Sequence, residues 1–206
     1  LAGAGALRHG DLSHVYPLMR GCAPMLVALS SFAAFVDPLS GNMWAGVVLI
    51  CAGIIAPAFL RARRVAMPGR GTVIALANAV IIAAYTIVDG QGTRLSGNAI
   101  SYGQWLFLIN ALPLGVFAFV WRRHELLMHA RARWRMGLIG GALSMGSYAI
   151  VLWAMTRAPV ASVAALRETS VIFAALIGSF VFREGHVALR VAGAVMVAAG
   201  IAALRL

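Results

Sequence analysis

Between its arginine clusters this chain is a succession of apolar runs, each close to the length of a bilayer crossing. A membrane-spanning helix needs about 20 residues. Runs of that order fall at Leu12–Val36, Met43–Leu60, Thr72–Val88, Ser101–Trp121, Met136–Thr156, Pro159–Phe182 and Val187–Leu204. Leu1–Leu7 reads as the tail of one more. Composition agrees, with 62% hydrophobic and 11% charged residues, where a soluble domain carries about 25% charged. The fold class is therefore an all-α polytopic membrane protein, a helical bundle.

The connections hold the turn formers and the charges: Asp37-Pro-Leu-Ser-Gly-Asn42, Arg61–Gly71, Asp89–Asn98, Arg122–Arg135 and Arg183–His186. A net charge of +11 would suggest nucleic acid in a soluble chain. Here every basic residue is arginine, clustered between apolar runs as in cytoplasmic loops, so no nucleic-acid partner is expected and the bilayer is. Arg61, Arg63, Arg64 and Arg70, then Arg122, Arg123, Arg131, Arg133 and Arg135, then Arg183 and Arg190 lie in, or for the last just past, connections of one parity. The opposite parity holds only Arg94 and Arg157. The positive-inside rule puts the first set in the cytoplasm and the C-terminus outside. Cys22 and Cys51 lie in apolar runs without disulfide or metal spacing.

Arg167 and Glu168 interrupt the run from Pro159 to Phe182. At ~1.5 Å per residue, Arg167 lies roughly 10–14 Å in from the Pro159 end. A charge at such depth costs at least about 2.5–3.5 kcal/mol on insertion scales. Neighbours on a helix point about 100° apart, so the two are not expected to face lipid together or to pair with each other. They should face protein or a water-filled cavity, either locking two helices together or lining a substrate path.

A weak repeat underlies the chain. A gapless shift of 147 positions lays Arg20 on Arg167, Asp37 on Glu184, Gly46 on Gly193 and Gly53 on Gly200. Such internal symmetry is common in secondary transporters. Extended upstream, the same shift implies ten helices in two inverted units of five, with about seven and a half present here and about 75–80 residues missing before Leu1. No signal peptide is legible at Leu1, where the chain opens inside an apolar run. The expected division is 1–60 for the end of a first repeat, 61–71 for an arginine-rich connection and 72–206 for a second repeat.

Gly46 and Gly53, like Gly193 and Gly200, are spaced to share a helix face and allow close packing. Gly137-Leu-Ile-Gly-Gly141 carries the same implication. His124-Glu-Leu-Leu-Met-His129 has one residue too many for a zincin helix, so no metal site is expected. Asn78, Tyr85, Asn110, Ser144, Ser147 and Tyr148 are polar groups within spans, where such groups commonly bond a neighbouring helix. Tyr85 to Arg94 reads as a helix end entering a glycine turn, with Asp89 placed to pair with an arginine or to cap the connection. No ATP-binding glycine loop and no catalytic Ser/His/Asp or paired-carboxylate set stands out, so neither a pump motor, an enzyme nor a cofactor is expected. With Arg20 and Arg167 against Glu168, the interior reads as net positive. That suits an anionic group near the midplane, between repeats.

Asp11-Leu-Ser-His-Val-Tyr-Pro-Leu-Met-Arg-Gly-Cys-Ala-Pro24 and Ala83-Ala-Tyr-Thr-Ile-Val-Asp-Gly-Gln-Gly-Thr-Arg94 resemble the EamA family of the drug/metabolite transporter superfamily. So do Tyr148-Ala-Ile-Val-Leu-Trp-Ala-Met-Thr156 and Ala158-Pro-Val-Ala-Ser-Val-Ala-Ala-Leu-Arg-Glu-Thr-Ser170, the last being the most specific. The resemblance covers essentially the whole chain. It implies a ten-helix carrier of two inverted repeats in a bacterial inner membrane, exporting small metabolites such as amino acids, or drugs. Family members have both ends in the cytoplasm, whereas the arginine counts here put the C-terminus outside.

The expected function is secondary transport by alternating access, of a small anionic or zwitterionic substrate, with proton or ion coupling. The substrate-path candidates are Arg20, Tyr85, Asp89, Tyr148, Arg167, Glu168, Thr169 and Ser170. Arg20 and Arg167 would orient an anionic group, and Glu168, on its depth alone, is a candidate proton acceptor. The alternatives are a non-transporting structural or assembly protein, whose buried charges only lock helices, and a lipid-carrier flippase.

Overall fold

The structure, a computed structural model, describes residues 12–33, 37–62, 69–170, 173 and 187–205. Seven helices lie among them: α1 Leu12–Ala33, α2 Gly41–Ala62, α3 Gly69–Ser96, α4 Ala99–Trp121, α5 Arg123–Met155, α6 Val160–Glu168 and α7 Val187–Arg205. Three segments, Gly71–Ser96, Ala99–Trp121 and Arg123–Met155, are long and apolar enough to cross a membrane. The tail expected at Leu1–Leu7, most of the 61–71 connection and the Arg183–His186 connection lie outside the described residues. Apolar side chains such as Trp105, Ile109, Leu112, Leu138, Leu143 and Ile150 stand exposed along α4 and α5. That is the all-round apolar surface of helices that meet lipid. The molecule is a multi-pass, all-helical membrane protein.

Two compact units can be distinguished, Leu1–Val88 with Ala158–Leu206, and Asp89–Arg157. In the first, α2 packs along α7, α1 packs on α2 and on α6, and α6 also touches α2. The glycines set the α2–α7 approach. A Cβ on Gly46 would come to 2.8 Å from the Gly200 carbonyl oxygen, and one on Gly53 to 2.8 Å from that of Gly193. Two backbones this close admit only hydrogen at the crossing. Leu18 and Met19 of α1 bury against Ala75 of α3, with Cys22 and Ile74 alongside. Asn78 Nδ2 reaches Met19 Sδ at 3.3 Å.

In the second unit α4 and α5 pair. Gly103 of α4 faces Leu152 closely: a Cβ there would come to 3.2 Å from Leu152 Cδ1, and that side chain would have to give. Phe107 meets Tyr148 edge-on, with ring centroids 6.0 Å apart. The turn before α4 is made by Gly97, at φ +67°, where a side chain would strain. Asn98 follows as the cap, its Oδ1 accepting from Ile100 N at 3.0 Å and Ser101 N at 3.1 Å.

Four expectations are corrected. Asp89–Asn98 is not a connection up to Ser96, because α3 continues through Gly90 and Gly92. Glycine costs a helix about 1 kcal/mol relative to alanine, but here it makes room: a Cβ on Gly92 would lie 2.6 Å from Tyr102 Cε2. Arg122–Arg135 is helical almost throughout, and α5 starts at Arg123 with a kink at Arg133. The His124–His129 run therefore lies on a helix, with His129 Nδ1 3.0 Å from the Glu125 carbonyl oxygen. The third correction concerns Gly137 to Gly141, where a Cβ at 137, 140 or 141 would meet nothing within 4 Å. Spacing alone says nothing about a partner, and at these three positions there is none among the described residues. Fourth, the helix expected from Pro159 is regular as α6 only to Glu168: Thr169 N bonds the Leu166 carbonyl at 3.1 Å, its backbone angles stay helical, and Phe173 N returns to the Thr169 carbonyl at 3.5 Å, the rest of the span lying outside the described residues. Ser170 and Phe173 are again helical.

Gly92→Ala is expected to displace the Tyr102 ring and lower stability by about 1–3 kcal/mol, the ordinary range for over-packing. Thermal unfolding of the purified protein in detergent, beside Gly115→Ala as a control in open space, measures it.

Candidate functional site

α6 is short because of its two ends. Pro159 presets the chain for a helix start, and Asp37 Oδ2 accepts from Val160 N at 3.1 Å, placing a carboxylate at the positive end of the helix. At the other end the backbone tightens at Thr169 directly after the charged pair. Between them Val160 to Ala165 are all buried, against α1 and α2.

This packing delivers Glu168 into the protein, 1% exposed. Its carboxylate faces α1, where Arg20 Nη1 donates to Oε1 at 3.1 Å and to Oε2 at 3.2 Å. Arg167 also reaches it, with Nε and Nη2 each 3.4 Å from Oε1. The expectation that Arg167 and Glu168 could not pair is thus corrected. Their Cβ atoms do diverge, but the arginine stem is long enough to curl back, at the price of long hydrogen bonds. Arg167 Nη2 also lies 3.5 Å from Tyr85 Oη of α3, and the Arg20 guanidinium lies over the Tyr16 ring, 5.6 Å from its centroid.

Four of the eight candidates, Arg20, Tyr85, Arg167 and Glu168, therefore form one cluster in the first unit. Among the described residues, two guanidinium groups against one carboxylate leave it one positive charge in excess. Arg20 is the more open of the two, its side chain 32% exposed against 16% for Arg167. Thr169 bonds its own helix, Oγ1 to the Leu166 carbonyl at 2.7 Å, and Ser170 is exposed.

The other two candidates, Asp89 and Tyr148, meet in the second unit. Tyr148 Oη donates to Asp89 Oδ2, and Tyr102 Oη donates to Asp89 Oδ1 at 3.0 Å. Asp89 is 5% exposed. Among the described residues it neither pairs with an arginine nor caps a connection; two phenols hold it. Arg94 is turned elsewhere, its Nε donating to the Met155 carbonyl at 2.8 Å.

Sequence reasoning missed Tyr102 and Tyr16. Tyr102 had a signal: if α3 runs to Ser96 and the turn is only Gly97-Asn98, residues 89 and 102 differ in height by about one helical turn, a gap that a tyrosine side chain can bridge. Reading Gly90 and Gly92 as helix breakers hid it. Of the other polar groups, Asn110 and Ser147 bond their own helix, to the Leu106 and Ser144 carbonyls. Asn78 reaches a neighbouring helix.

The family model described as the EamA-like transporter family matches residues 69–206. No curated protein and no solved structure matches the chain.

Proposed function

The chain belongs to the EamA-like transporter family, a family of transporters of the drug/metabolite type and not of enzymes, and from that premise we propose that it exports small metabolites carrying an anionic group across a bacterial inner membrane, by alternating access. The observation that carries the substrate class is the excess positive charge of Arg20, Arg167 and Glu168 among the described residues. A charge left uncompensated at such depth is costly unless something of opposite sign binds there. Arg167 lies beside the Tyr85 hydroxyl, so an anion at this guanidinium would find a second donor within reach. We further propose that residues 72–206 form one repeat and 1–60 part of its inverted partner, joined by 61–71.

Cells expressing the protein, loaded with a metabolite pool, test this by comparison with Arg167→Ala at matched membrane levels. Efflux measured by mass spectrometry is expected to fall at least about tenfold for an anionic substrate, the equivalent of about 1.4 kcal/mol lost at the site. Equal efflux in both would remove Arg167 from the path. Profiles equal to the empty control for both proteins would count against export itself.

A second reading is favoured by one observation, the two-oxygen contact of Arg20 with Glu168, which ties α1 to α6 as a structural bond would. In that reading the protein is a membrane structural or assembly partner. Replacing the three charges with apolar residues of similar size separates the two: an assembly role survives the change, and transport does not.

A further inference from the structure

We propose that Asp89, held by Tyr102 and Tyr148, is a reversible proton-binding site within the membrane, and that it, in place of Glu168, carries the proton of coupled transport. The role in coupling rests on the transporter reading; the proton site itself does not.

The two buried carboxylates have opposite surroundings. Glu168 is met by two guanidinium groups, which donate hydrogen bonds and accept none. A proton on Glu168 would add a hydrogen facing donors and remove the charge that balances Arg20. Its partners offer a carboxylic O–H no acceptor.

Asp89 makes no ion pair among the described residues. Its partners are two phenol hydroxyls, one on each oxygen. A hydroxyl both donates and accepts. With Asp89 ionised, both tyrosines donate to it. With Asp89 protonated, its own O–H donates to one phenol oxygen, whose hydrogen rotates away. Either state therefore keeps the carboxyl hydrogen-bonded, with no side-chain movement larger than a hydroxyl rotation. Among the described residues no other titratable group bonds it. α4 carries no charged residue. The arginines and histidines of α5 lie between Arg123 and Arg135, away from Tyr148. On α3 itself, Arg94 directs its Nε to Met155.

Two further observations fit. Thr93, one turn along the same face of α3, is fully buried, and its Oγ1 has no hydrogen-bond partner, so the site offers one more group to a moving proton. Gly92 gives up its side chain to let the Tyr102 ring lie against α3, so the backbone is adapted to this contact.

The test is an infrared pH titration of the full chain in lipid vesicles, reading the carboxylic-acid carbonyl band, which needs no transport substrate. Expected is a band that grows as pH falls, is lost in Asp89→Asn, persists in Glu168→Gln, and titrates at a shifted midpoint in Tyr148→Phe. Should Asp89→Asn not fold, the Tyr148→Phe shift decides. A band that survives Asp89→Asn, disappears in Glu168→Gln, or responds to sodium and not to pH overturns the proposal, as does a midpoint unmoved in Tyr148→Phe. Failure of the efflux comparison would remove transport and leave this titration as it stands.

Discussion

Glu168→Ala is expected to destabilise the protein by about 3–5 kcal/mol, the cost of breaking a buried ion pair from one side. The carboxylate is 1% exposed and is shared by Arg20 and Arg167, so its removal leaves two guanidinium groups facing each other across α1 and α6. The one-third exposure of Arg20 lets its head group recover some hydration, which pulls the effect toward the lower figure. The triple variant Arg20→Met, Arg167→Met and Glu168→Leu removes all three charges together and is expected to lie within about 1–2 kcal/mol of the parent, since apolar replacement of a buried charge set is often neutral or better. Unfolding midpoints of the purified proteins in detergent check both. If the single and triple variants lose the same amount, the cost lies in packing and not in charge.

The second large effect belongs to the α2–α7 crossing. In Gly200→Val the first added carbon would stand 2.7 Å from Ile50 Cγ1, 2.8 Å from the Gly46 carbonyl oxygen and 3.0 Å from Ile50 N. Two of these are backbone atoms that cannot rotate aside, so the helices must separate. A loss of about 3 kcal/mol is expected, at the top of the over-packing range. Gly41→Ala meets nothing within 4 Å and should fall within about 0.5 kcal/mol of the parent. A Gly200→Val protein as stable as Gly41→Ala would mean that the crossing is looser than drawn.

How much of this was legible beforehand depends on the kind of interaction. Helices α1, α2, α4 and α7 fall within a few residues of the apolar runs, because in lipid the length of an apolar run and the span of a helix are set by the same bilayer thickness. The spacings of Gly46 with Gly53 and of Gly193 with Gly200 are in the sequence, but that these two pairs face each other is not, since the identical logic at Gly137 to Gly141 met open space. The extension of α3 through Gly90 and Gly92 ran against local propensity. It was decided by the ring of Tyr102, a contact that only becomes visible once both helices are in place.

The candidate residues divide in the same way. That Arg167 and Glu168 turn toward protein followed from the sequence alone, because a charged pair inside a span-length apolar run has nowhere else to go; the structure buries Glu168 fully and Arg167 in part. That Glu168 takes Arg20 as its partner, and that Asp89 takes two phenols and no cation, was decided by tertiary structure. The sequence states how costly each charge is to bury; only the packing of distant helices brings up the group that meets it.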